Sequence, residues 1–387
     1  MTRQRWRWGV AVALLAVLAV GGAEAKVVHH KKSTTVVPIS ASTEVPEMRV
    51  HFLNVGQGAS TLIEFPCGVM LVDTGGELDK DFDSNAALQA YLDAFFARRT
   101  DLNKTIDLLW FTHPHIDHVR GAATVLNNYT VKNIVDDGYK ATQADAVVSV
   151  GLVRDFVDNH AEVHYQAVAT DDFASDGSGL TSAVIDPFPT CKGADPKIQA
   201  LWGQLRSDPG WGQDDYGKDR FANANNHSVA ARVDLGKSSL LITGDMELPS
   251  IAMLLDSRKP ELLDADIYEV GHHGSANGTT ADLLRAVTPS WAVMEVGPYD
   301  RKSSWTAWAY GHPREGTIDL LEAGVTGLRP KESEEVGTGV KSFIPEDIEK
   351  AIYATGWDGS LVLDAKADGT ITLGKVDLAQ PAHPEPG

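Results

Sequence analysis

The sequence predicts an α/β protein whose strands deliver metal-ligand-type residues to one edge. Three observations carry that reading. Short β-rich runs alternate with stretches of helical periodicity. Histidines and aspartates recur where apolar runs stop, and no repeat or second linker interrupts the pattern. "MRVHFLNVG", "STLIEF" and "GVMLVDTGG" read as the first strands, separated by turn residues. "SNAALQAYLDAFFARRT" has apolar residues at helical spacing and reads as a helix, followed by the strand "IDLLWFT". "SVAARVDLG" and "SSLLITGD" read as a hairpin, "LPSIAMLLDSR" as a helix, and "ADIYEVGHHGS" as another strand that ends in histidines.

Composition narrows the function classes. Residues 1–25 combine Arg3, Arg5 and Arg7 with a short apolar run and an Ala23-Glu24-Ala25 end, the pattern of a signal peptide cleaved near Ala25. The mature chain is therefore expected to be secreted or periplasmic, with no transmembrane domain. Residues 26–47 are polar and rich in Pro, Ser and Thr and read as a flexible linker; 48–375 read as one domain, and 376–387 as a flexible tail. The net charge is −19, and removal of the leader leaves 31 basic against 52 acidic residues, a net −21. Such a surface repels polyanions in bulk, which weighs against a general nucleic-acid binder and leaves a locally positive, metal-filled cleft that takes nucleic acid as a substrate. The two cysteines, Cys67 and Cys191, form no CxxC pattern and are expected to pair in an oxidising compartment.

The segment "LLWFTHPHIDHVRG" carries the chemistry: His113, His115, Asp117 and His118 occupy six positions behind an apolar run. At an extended strand end, residues i and i+2 point the same way, so His113 and His115 can grip one ion. As the chain curls into a helix, Asp117 and His118 turn toward a second position. Imidazole and carboxylate suit zinc, and also manganese or iron. Three other strand ends join this motif. Asp245 in "LLITGDMEL" would alone read equally as a turn or cap residue. His272 and His273 in "EVGHHGSANG" would alone be an ordinary surface pair, and His227 in "NANNHSVAARVDLG" is a weak signal by itself.

Taken in order, these blocks resemble the metallo-β-lactamase fold superfamily and, within it, the hydrolase domain of ComEC-type competence proteins. The resemblance runs from about Met48 to Leu373. It rests on "VHFLNVGQGASTLIEFPCGVMLVDTGG", "FTHPHIDHVRGA", "NNHSVAARVDLGKSSLLITGDME", "DADIYEVGHHGSANG" and "YGHPREGTIDLLEAG". It implies a four-layer αβ/βα sandwich with two divalent metal ions at one edge. His113 and His115 would hold the first ion, with His227 as its third ligand; Asp117, His118 and His272 would hold the second, with His273 as the alternative to His272. Asp245 would bridge both, and Asp73 would fix a ligating imidazole from behind. The chain departs from the competence pattern at Asn54 and Ala59, which stand where Asp is usual, and at Arg120, which replaces a Gly and adds a cation near the cleft.

Two such ions activate a water and clamp the oxygens of the group attacked. The expected function is a metal-dependent phosphoesterase, of phosphodiesterase or nuclease type, with a small or polymeric phosphoester substrate. Asp117 would act at the reacting centre, and His312 and Ser275 would touch the substrate's oxyanion. The alternatives are a lactone or β-lactam hydrolase and a non-catalytic, metal-stabilised binding module. In "SSWTAWAYGHPREG", Trp305, Trp308 and Tyr310 read either as core aromatics or as a wall on which a ring stacks, with Arg314 beside it.

Overall fold

The computed structural model describes residues 48–188 and 195–376. The expected leader, linker and Cys191, and all but the first residue of the expected tail, lie outside those residues.

Two sheets carry the architecture. One runs Ile371–Leu373, Leu361–Ala365, Met48–Phe52, Thr61–Phe65, Gly68–Val72, Leu108–Trp110, Asn133–Asp136, His164–Ala167. The other runs Ile352–Ala354, Trp291–Met294, Ile267–Glu269, Ser238–Ile242, Ala231–Leu235, Lys197–Ala200. Strand alternation gives each sheet two apolar faces. In Gly68–Val72, Met70 and Val72 pack inward with Trp110, Leu240 and Ile242, joining the sheets. Val69 and Leu71 point the other way, onto Leu88, Leu92 and Phe95 of the helix Ser84–Arg98. On the far side, helices Leu248–Ser257, Ala281–Val287 and Glu315–Gly324 bring Ile251, Leu254, Leu283 and Leu321 to the same core. The result is the expected order of helix, sheet, sheet and helix. Each buried aliphatic or aromatic side chain contributes on the order of 1.5–3 kcal/mol to that packing. Trp110 also ties the halves directly, its indole Nε1 donating to Val229 O at 3.0 Å.

Local signals set the element ends. Asp83 starts the first long helix by accepting from the amides of Asn85 and Ala86, which lack intrahelical partners. "SVAARVDLG" and "SSLLITGD" form the antiparallel pair Ala231–Leu235 and Ser238–Ile242. Gly68–Val72 and Leu108–Trp110 run parallel, as do Ser238–Ile242, Ile267–Glu269 and Trp291–Met294. Parallel strands end on the same edge, and there the chain presents Asp73, His113, Asp245 and His272.

A long hairpin, Leu328–Gly339 with Ser342–Lys350, has no counterpart among the expected elements. Its turn braces the "YGHP" segment: Gly337 N donates to Pro313 O at 2.7 Å and Lys341 N to Trp308 O at 3.0 Å. Cys67 is disulfide-bonded; the expected pairing with Cys191 involves a residue outside those described.

Candidate metal centre

The ligand turn is held by backbone. Asp117 O accepts from Ala59 N at 3.1 Å, and His118 O accepts from Thr74 N at 2.8 Å. This clasp explains the glycines of the opening blocks. A Cβ on Gly75 would lie 1.4 Å from Asp117 O, and one on Gly58 2.4 Å from it, so only glycine lets the strands approach.

Behind the turn, Asp73 sits in a left-handed conformation at φ 55 and is fully buried. Its Oδ1 accepts from Thr112 N at 2.8 Å; its Oδ2 accepts from Thr112 Oγ1 and His118 Nδ1, both at 2.7 Å. Because the Thr112 hydroxyl donates to Asp73, it accepts from His113 Nδ1 at 3.1 Å. His273 Nδ1 donates to Glu295 O at 2.7 Å. These three contacts hold a proton on Nδ1 of each histidine and aim Nε2 at the centre.

The nitrogens facing the centre crowd one another. His118 Nε2 and His273 Nε2 are 3.2 Å apart, and His113 Nε2 lies 3.0 Å from His115 Nδ1. Asp245 stands between them: Oδ1 is 3.3 Å from His118 Nε2, and Oδ2 is 3.8 Å from His113 Nε2 and 3.6 Å from His273 Nε2. Asp117 Oδ2 lies 3.5 Å from His273 Nε2. Donor atoms of Asp117, His118, Asp245 and His273 all fall within 4.8 Å of one another.

Electrostatics give the same reading. Burial pushes the His118 imidazolium down, but Asp245 and Asp73 overcome it and raise the group well above its usual value. His273 is likewise raised, Asp245 and Asp117 outweighing burial. Burial opposes ionisation of Asp245, yet the imidazoles of His118, His273 and His272 hold it well below the ordinary range. The buried Asp245 and the half-buried Asp117 therefore favour positive charge at this spot. A divalent cation supplies that charge and gives the converging nitrogens a common partner, so the donor set fits a metal.

The sequence-expected residues divide clearly. His113, His115, Asp117, His118 and Asp245 converge, with Asp73 behind His118. Of the two consecutive histidines, His273 rather than His272 enters the Asp117/His118 group; His272 Nε2 lies 3.7 Å from Asp245 Oδ2. His227 is not brought to the cluster. Its Nδ1 accepts from Leu205 N at 3.0 Å, its Nε2 donates to Phe221 O at 2.7 Å, and its ring stacks on Tyr139. Both nitrogens are used in holding a loop, which corrects the expectation of a third ligand there. Thr112 and Glu295, which orient ligands, were not singled out in the sequence; the position of Thr112 directly before His113 was the available signal. Behind the centre Glu269 and Glu295 both reach Thr61 Oγ1, and burial pushes the Glu269 carboxyl up to about 7.

The cluster opens into a cleft of about 1690 Å³ that His312, Ser275, Tyr310 and Trp305 also line. His312 stacks on Tyr310 and lies 3.5 Å from Gln57 Nε2 through its Nδ1. Burial, then the nearby His272 and His273, hold it well below the usual imidazole value, so it is neutral. Arg120, Arg220 and Arg314 line the same cleft. Each donates to a backbone carbonyl, of Gly76, Gln213 and Tyr310 respectively, and forms no ion pair among the described residues. Trp305 is 72% exposed at its mouth with φ 63, an uncommon conformation for a bulky residue.

Sheet edge, histidine cluster and oriented carboxylates together define a metal-site protein of the αβ/βα sandwich class. The chain belongs to the metallo-beta-lactamase superfamily, whose family model matches residues 53–293. It is 26% identical over 267 residues to Recombination protein 2 of Haemophilus influenzae and 22% identical over 286 residues to ComE operon protein 3 of Bacillus subtilis. Those alignments take in 69% and 71% of this chain but only 26% and 31% of the relatives, so the chain spans about a quarter to a third of their length. Over 106 residues it is 33% identical to Competence protein ComA of Neisseria gonorrhoeae, covering 27% of this chain and 14% of that one. Among solved structures it is similar to the metallo-beta-lactamase fold protein YhfI from Bacillus subtilis at 12% identity and a TM-score of 0.38, covering 84% of this chain and all of that one. The superfamily binds divalent metals and consists mostly of hydrolases; among the described residues no helix is long and apolar enough to cross a membrane.

Proposed function

We propose that the protein is an exported, metal-dependent hydrolase of phosphoesters, with a dinuclear centre built on His113, His115, Asp117, His118, Asp245 and His273. Zinc is the first candidate by donor type, ahead of manganese and iron. The observation that carries the reading is the coincidence of this cluster with three arginines that form no ion pair among the described residues, in one cleft that also carries carboxylates such as Asp145 and Asp219. Within the fold Arg99 meets Glu64 and Arg154 meets Asp136. In the cleft Arg120, Arg220 and Arg314 form no such pair among the described residues, which suits a ligand that brings its own negative charge.

When bound, the ions supply a water of lowered pKa and neutralise charge on the attacked group. The chain's own residues do the rest. Asp73 keeps the His118 proton on Nδ1, so Nε2 stays a ligand. With Nδ1 of His312 accepting from the Gln57 amide, its proton sits on Nε2, and a neutral N–H can donate to a phosphate oxygen. Ser275 lines the same wall, its amide spent on His272 O, which leaves the hydroxyl for a ligand. Trp305 and Tyr310 offer faces for a ring on the substrate.

The export half of the proposal rests on the charged, apolar and small-residue pattern of residues 1–25. The test is a panel of phosphodiester, phosphomonoester, lactone and β-lactam substrates given to the metal-loaded mature protein. Turnover of a phosphodiester is expected; hydrolysis of lactones or β-lactams alone would overturn the substrate assignment, and no hydrolysis with bound metal would favour a binding module.

A further inference from the structure

With His227 engaged elsewhere, the first metal position retains His113, His115 and an oxygen of Asp245. That gives this ion two imidazoles and only a share in a bridging carboxylate, one short of the three protein ligands of its own that hydrolytic zinc sites keep beside an open position. The geometry points to His272 as the missing nitrogen ligand: we propose that the consecutive histidines serve different ions, His272 the His113/His115 ion and His273 the Asp117/His118 ion. This rests on the dinuclear reading given above and concerns which atoms hold the ions, not which bond is cleaved.

Three observations support the assignment. His272 Nε2 lies 3.7 Å from Asp245 Oδ2, the same oxygen that His113 Nε2 approaches at 3.8 Å. His115, Asp245 and His272 line one and the same cleft. A histidine used for structure has partners on its nitrogens, as His227 does; among the described residues the buried Nδ1 of His272 has none, and its Nε2 faces Asp245 Oδ2. The backbone then explains the direction. His272 and His273 both occupy the left-handed region, at φ 53 and φ 55, followed by Gly274 at φ 76. Non-glycine residues in that region carry strain of about 1–3 kcal/mol each, and two in succession persist only where surrounding contacts impose them. In an ordinary strand the two side chains would point to opposite faces. Here the left-handed turn sends both toward Asp245, with ring centroids 6.3 Å apart.

The experiment is metal titration of apo protein with cobalt(II), read by stoichiometry and visible absorption, which does not depend on catalysis. Wild type is expected to bind two ions per chain. His272→Ala is expected to bind one, and so is His273→Ala, with different residual spectra because different ions are lost; His227→Ala is expected to bind two. His272→Cys keeps a ligand in place and is expected to restore two ions with a new sulfur-to-cobalt charge-transfer band. Two ions at wild-type affinity in His272→Ala, or no such band in a two-ion His272→Cys protein, would overturn the assignment, as would wild type binding a single ion that His272→Ala leaves intact. A protein that follows the expected metal pattern but cleaves only carbonyl substrates would refute the phosphoester reading and leave this inference standing.

Discussion

Asp73→Asn is the most informative single change, because it is nearly isosteric and fails at one atom. The carboxylate accepts three hydrogen bonds, from Thr112 N, Thr112 Oγ1 and His118 Nδ1, at 2.7–2.8 Å. In the variant Oδ1 can still serve Thr112 N, but an NH₂ group replaces Oδ2. The Thr112 hydroxyl can rotate to accept from it. His118 Nδ1–H cannot, so two donors face each other unless the ring moves its proton to Nε2, the atom needed for metal. The loss is about one hydrogen bond to a charged acceptor, roughly 1.5–3 kcal/mol. At about 1.4 kcal/mol per tenfold that predicts metal binding weakened by about 10- to 100-fold, the range seen when an outer partner of a ligating histidine is removed. Competition between apo protein and a chromophoric chelator for zinc measures it, with circular dichroism confirming the fold. Affinity within twofold of wild type would refute the claim that Asp73 fixes the His118 tautomer.

Asp245→Ala removes the carboxylate around which four imidazoles gather, and it should reduce bound metal in elemental analysis more than any other single ligand change. His312→Ala should lower phosphodiester turnover by at least about tenfold, about 1.4 kcal/mol in the barrier, with bound metal unchanged. Glu64 is buried against Arg99 Nη1 at 2.7 Å, His51 Nε2 at 3.2 Å and Arg98. Burial raises its carboxyl, but the hydrogen bonds from His51 and Arg98 outweigh that and hold it well below the carboxylate range. A depressed carboxyl stabilises the fold above the unfolded value near ~4.3, and that stability is lost as pH falls toward the folded value. Glu64→Gln should therefore cost about 3 kcal/mol in urea unfolding at pH 7 and markedly less at pH 3; an equal loss at both would show that charge is not the cause.

The parts of the site legible in the sequence are those governed by local geometry. His113 to His118 follow from strand alternation and one turn, so their spacing alone told where they point. Asp73 and Asp245 were legible as strand ends in an ordered series. The errors are long-range. Nothing in "NNHS" says that both nitrogens of His227 meet backbone from Leu205 and Phe221. Nothing in "GHHG" announces two left-handed histidines, because that conformation is imposed by packing around Gly274 and not by propensity. The hairpin Leu328–Lys350 escaped notice because "RPKESEEVGTG" is solvated along most of its length and lacks the one-sided apolar alternation of a half-buried strand. Net charge is a coarser guide. At −19 the chain is hostile to polyanions on average, yet the average hides how the charges are sorted. Glu64, Asp136 and Asp358 neutralise Arg99, Arg154 and Arg329 within the fold, and the cations left without carboxylate partners include those lining the cleft. The cleft itself also carries carboxylates, Asp145, Asp214, Asp215 and Asp219 among them, so capture of an anion there has to come from direct contact with the arginines and the bound ions, while screening confines the repulsion from more distant acidic residues to about 8–10 Å.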